Sequence, residues 1–126
     1  REALSAVISS SSKTRNPVDM FPDMSAGGFE KTTTRILSSL LEDDGVDGIV
    51  FISFGFPESE EFRPLMEIIK NYNKKPVFFS LLGPREEVEA NQEFIEAHGV
   101  PFYLFPESAI RVFSNMRRYA MIRDYI

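Results

Sequence analysis

The chain has 126 residues, a net charge of −5 and no cysteine. That length supports one compact domain with a core of its own. The negative charge excludes a nucleic-acid surface, which needs a basic stripe against phosphate, and the missing thiols exclude disulfides, thiolate metal sites and cysteine nucleophiles.

Apolar residues make up 43 % of the chain, twelve of them Phe, a composition of folded rather than disordered protein. No apolar run approaches the roughly 20 residues of a membrane helix. The opening "REALSAVISSSS" lacks the apolar centre of a signal peptide. A cytoplasmic location is therefore expected. The chain begins on Arg1, inside what reads as helix, so a segment of a longer product is expected.

Residues 2–9 carry Leu4, Val7 and Ile8 at helical spacing, and the serine run after them reads as a polar linker. "TRNPVDMFPDM" (14–24) reads as a turn followed by a short extended segment, because Asn16-Pro17 and Pro22 interrupt regular structure. A helix follows over 25–45, its apolar face made of Phe29, Ile36, Leu37, Leu40 and Leu41, with Gly45 as the stop. "DGIVFISF" (47–54) is a continuous apolar run, the pattern of a parallel strand covered on both faces. Residues 57–73 predict a helix, with Pro57 and three glutamates at its start. Pro64 fits that helix only near a first turn or as a kink. Strands are expected over 75–83 and 100–105, with a helix over 85–99 between them and a closing amphipathic helix from Pro106.

From the second helix onward, helices and strands alternate, the signature of an α/β fold with a parallel sheet. Ligands of such sheets meet the loops at the carboxyl ends of the strands. Those loops are "GFPESE" (55–60), "LGPREE" (82–87) and "FPESA" (105–109).

Four local features carry possible chemistry. "SSSSKT" (9–14) ends like a phosphate loop but lacks the glycines that let backbone N–H groups reach phosphate, so it reads as linker. His98, the sole histidine, precedes Gly99 at a helix end, where a cation is favoured and where no second ligand makes a metal site. A phospho-accepting receiver is excluded, since Gly55 and Phe56 follow the first strand where an Asp is required, and Pro106 stands where a Lys is. "GFPESEEF" joins a strand-end glycine to a helix start, the form of an anion site. Its three glutamates oppose an anion, and ordinary acidic capping is the plainer reading. "GPREE" has the same form, with Arg85 to offset charge.

Taken in order, "NPVDM", "DDGVDGIVFI", "KPVFFSLLG" and "HGVPFYLFPESAIRVFSNMRRY" resemble the flavodoxin-like CoA-ligase domain of NDP-forming acyl-CoA synthetases, the group of ADP-forming acetate–CoA ligases and succinyl-CoA synthetase. The resemblance covers nearly the whole chain. "NPVDM" and "GVPFYLFPESAIRV" are its most specific parts.

The resemblance implies a three-layer flavodoxin-like (Rossmann-like) fold, with a short parallel sheet and helices on both faces, as a single partial domain over 1–126. It implies a contribution to an acyl-CoA and phosphate site through main-chain donors at Gly55, Phe56 and Glu58, with Asn16 and Asp19 shaping the adjoining loop and no catalytic residue in this chain. The family's phosphohistidine lies in another domain and His98 does not match it. CoA and ATP/ADP are implied for a full-length enzyme, with none bound by this chain alone. The partners implied are other domains or subunits of the synthetase, with no nucleic acid or membrane. The opening strands of the family's domain have no counterpart here, so the chain alone is expected to be inactive. The uncovered sheet edge predicts a homodimer. The rival expectation is a non-catalytic regulatory or interaction domain that retains the fold.

Overall fold

A computed structural model describes residues 15–125. The helix expected over 2–9 and the "SSSSKT" linker lie outside the described residues. The described chain forms two compact units, one from residues up to Ile49 together with Glu60–Pro76, the other from Val50–Ser59 together with the chain from Val77 onward.

The first unit is helical. Helix α1 (Phe21–Gly27) is short and carries Pro22 in its first turn, where a missing N–H costs nothing. Gly28 separates it from helix α2 (Phe29–Glu42) with φ +86, a left-handed conformation that favours glycine. Of the stretch 14–24, residues 15–17 are bends rather than extended chain, Met20 already has helical dihedrals, and the chain is helical from Phe21 although Pro22 follows.

Along α2, Thr32, Thr33, Ile36, Leu37 and Leu41 are buried, a stripe set by the 3.6-residue period. Val18, Met20 and Leu40 pack against Ile36. The apolar residues of the "NPVDM" segment are therefore anchors for α2.

A 3-10 turn (Ser59–Phe62) leads into helix α3 (Arg63–Asn71). The helix expected from residue 57 begins at Arg63 instead, which places Pro64 in the first turn, where its ring and missing N–H are tolerated. Phe62 is fully buried and meets Phe29 edge-on at 5.8 Å. Lys75 Nζ donates to the carbonyls of Leu40 and Asp43, at the carboxyl end of α2, where terminal carbonyls need donors.

The second unit is built on strands. Strand β1 (Ile49–Phe54) pairs with β2 (Val77–Leu82). Ile49 N–H donates to Pro76 O and Gly55 N–H to Leu82 O; the constant offset makes the pair parallel. The expected third strand is reduced to one parallel bridge between Phe79 and Phe102. Pro101 can accept from Phe79 N–H, as it does, but cannot donate, and this limits the ladder.

Residues 77–81 are all buried. Phe51 stacks on Phe79 at a centroid distance of 4.6 Å. Coverage of β1 is one-sided: Ile49 and Phe51 are buried, while Ile52 and Phe54 are exposed, against the expectation of two covered faces.

Helix α4 (Arg85–Ala97) follows β2, and Gly99 turns the chain beyond it with φ +78. Helix α5 (Pro106–Tyr125) closes the fold. Fully buried Ala109 and the edge-on contact of Phe113 with Phe78, 5.7 Å between centroids, seat its first half. The architecture is the α/β class expected, with a short parallel sheet and helices between its strands.

Candidate functional site

The loop after β1 sits at the carboxyl end of a parallel strand, and its path is set from within the second unit. Asn91, on α4, is fully buried. Its Oδ1 accepts from Phe56 N–H at 2.8 Å, and its Nδ2 donates to Phe56 O and Ser59 Oγ, each at 2.9 Å. One side chain thus reproduces a strand-like pairing with Phe56 and ties down Ser59. Val88, Asn91 and Ile95 are the buried residues of α4, so Asn91 stands on an otherwise apolar stripe.

Gly55 completes the arrangement. A Cβ there would lie 2.8 Å from Asn91 Oδ1, closer than real Cβ contacts permit, so the close approach of Asn91 to this loop requires glycine. Gly83, at the end of β2, has φ +149 and lies beside Gly55 and Val88. Two glycine-containing strand ends therefore meet in one place.

The expected site residues fall in both units. Asn16 is exposed and precedes Pro17 through a cis peptide bond. Asp19 is exposed, and its Oδ1 accepts from Phe21 N–H at 3.2 Å; it shapes the backbone at the start of α1. Both belong to the first unit, whereas Gly55, Phe56 and Glu58 belong to the second. The Gly55 and Phe56 amides, expected as anion donors, are engaged by Leu82 O and Asn91 Oδ1. Pro57 has no N–H to offer. Glu58 is exposed.

The two arginines that follow these loops in sequence both form ion pairs. Arg63 forms an ion pair with Glu60, with contacts at 2.5 and 2.8 Å. Arg85, expected to offset charge in "GPREE", pairs with Glu89 at 2.6 Å. Hydrogen bonding and the carboxylate charge raise both guanidinium pKa values. His98 Nδ1 lies 2.8 Å from Phe94 O, a local contact at the end of α4. No group of metal-ligating side chains occurs among the described residues. None of the described helices is long and apolar enough to cross a membrane.

The chain is 28 % identical over 109 residues to acetate–CoA ligase (ADP-forming) II of Archaeoglobus fulgidus, covering 86 % of this chain and 16 % of that one. It is 31 % identical over 125 residues to 4-hydroxybutyrate–CoA ligase (ADP-forming) of Nitrosopumilus maritimus, covering 95 % and 17 %. The chain is homologous to one segment of the ADP-forming acyl-CoA ligases.

It spans about one sixth of the length of these ligase relatives. The crystal structure of PH0766 from Pyrococcus horikoshii OT3 has the same fold over 84 % of this chain and 25 % of that one, with a TM-score of 0.67 and 26 % identity. No protein-family profile matches the chain.

Asn91 is the residue that sequence reasoning passed over. It is 35 positions from Phe56 and sits among glutamates, where a polar residue looks solvated. The available signal was its spacing of three from Val88 and four from Ile95, which puts it on the apolar face of α4.

Proposed function

We propose that this chain is the flavodoxin-like domain of an ADP-forming acyl-CoA synthetase and that its Gly55–Ser59 loop forms one wall of the acyl-CoA and phosphate site. Homology to two CoA ligases carries the reading; the loop held by Asn91 at a strand's carboxyl end supports its location.

The residues present do not by themselves make a phosphate cradle. Two of the three expected N–H donors are engaged, and Glu58, Glu60 and Glu61 crowd the following turn. In this proposal Gly55 and Phe56 set the path of the wall, Glu58 borders it, and Asn16 and Asp19 shape a second loop. Charge to hold CoA, ATP/ADP or phosphate comes from other domains or subunits of the synthetase. The chain alone is inactive, resides in the cytoplasm and pairs with a second copy of itself.

Hydrogen-exchange mass spectrometry on the protein in its full reading frame tests the site. CoA with phosphate should slow exchange across residues 55–62 ahead of the rest of this segment. Unchanged exchange there, with protection elsewhere, would remove the loop from the site.

A second reading, a non-catalytic regulatory or interaction domain, draws on the same acidic turn and engaged amides. It predicts protection by neither CoA nor phosphate anywhere in the protein.

A further inference from the structure

The second half of α5 stands uncovered. Residues 114–119 and 121–125 are all exposed, and they include Met116, Tyr119, Met121, Ile122 and Tyr125, the last 93 % exposed. An open groove of about 510 Å³ runs along it between Val112, Met116, Tyr119, Ala120 and Arg123. A contiguous apolar surface rimmed by charge marks an interaction site. Four arginines, at 111, 117, 118 and 123, stand on this helix against Glu107 and Asp124, so it is cationic within a chain of net charge −5.

The complement lies in the same unit. Glu86, Glu89, Glu93 and Glu96 recur every three or four residues along α4 and are exposed, which puts them on one face of that helix; Arg85 pairs with Glu89 at its start, and the face stays acidic with three further glutamates. We infer that the second half of α5 docks on the acidic face of α4 of a second copy, and α4 on α5 in return, in a two-fold dimer. This deepens the self-association proposed above and rests on it.

Two considerations select this occupant. A two-fold axis makes an α5–α4 contact twice, so one chain supplies both halves of the complement. Antiparallel pairing of α5 with itself about Met116 and Tyr119 would set Arg117 and Arg118 near their own counterparts, and facing like charges are penalised.

Charge exchange tests the interface. Sedimentation velocity over a concentration series should show the wild-type chain dimerising, more weakly as salt rises. Arg117→Glu with Arg118→Glu, and separately Glu89→Lys with Glu93→Lys, should each weaken self-association at least about tenfold. Mixing the two variants should restore a heterodimer. Tyr119→Ala, which leaves the charges in place, should weaken the dimer as well, and circular dichroism checks that each variant keeps its helices. A wild-type chain that stays monomeric overturns the self-association and the interface together. A wild-type dimer that either charge variant leaves intact, or variants that fail to pair on mixing, overturns this interface alone.

Discussion

Gly55 and Asn91 form one unit of structure, and substitutions at them should not add. Gly55→Ala pushes a methyl into Asn91 Oδ1, 2.8 Å away, and should destabilise by about 1–3 kcal/mol, the cost of overpacking. Asn91→Ala leaves Phe56 N–H without its partner and should cost about 1–3 kcal/mol. The double variant should fall short of the sum by about 0.5 kcal/mol or more, since removing the amide makes room for the methyl. Urea denaturation of the four proteins measures this, and strict additivity would contradict the contact.

Tyr72 offers a pH test in the first unit. Its hydroxyl donates to Glu42 Oε1 at 2.6 Å, and that hydrogen bond, then the carboxylate's charge, raises the phenol pKa above its ordinary value. A raised folded-state pKa means that the pair's stabilisation is full below about pH 10, the unfolded phenol value, and is lost as pH climbs through the folded one. Glu42→Gln should move the Tyr72 titration back down, seen by ultraviolet absorbance against Tyr72→Phe. At this scale the sequence showed Gly55 and the capping position of His98 from local pattern alone. It did not show Asn91, because a contact across 35 positions leaves no local trace beyond a polar residue on an apolar face.

At the scale of elements, helices were easier to read than strand limits. The face of α2 was legible because Ile36, Leu37 and Leu41 repeat at helical spacing. The third strand was not, because "VPFYLF" has strand-like side chains while Pro101 withholds the donor a ladder needs. The region after β1 resolves a choice left open by Pro64: a 3-10 turn intervenes, and α3 starts at Arg63.

Helix α5 is seated by its first half alone, so its substitutions should divide sharply. Phe113→Ala removes the contact with Phe78. It should cost roughly 2–3 kcal/mol, somewhat below the 3–5 of a fully buried aromatic, since Phe113 is half-buried. Ile122→Ala, on the exposed half, should change the stability of the monomer by less than about 0.5 kcal/mol. Thermal melts in dilute solution, below the range of self-association, compare the two. Equal losses would mean that α5 is held along its whole length.

For the whole molecule, the chain is homologous to one segment of two ADP-forming CoA ligases and has an α/β architecture, and the alternation of helices and strands made that fold class legible. The chemistry was less so. In the loop that resembles an anion site, the Gly55 and Phe56 amides are engaged internally, and in the proposal above the charge that holds phosphate comes from other parts of the protein. Turnover by the protein in its full reading frame tests this account most directly. With a panel of short carboxylic acids, CoA and ATP, it should form acyl-CoA with release of ADP and phosphate in equal amounts, while the 126-residue chain alone does not. A full-length protein that is folded yet neither binds CoA nor releases ADP with any acid of the panel would contradict the central claim and leave the regulatory reading.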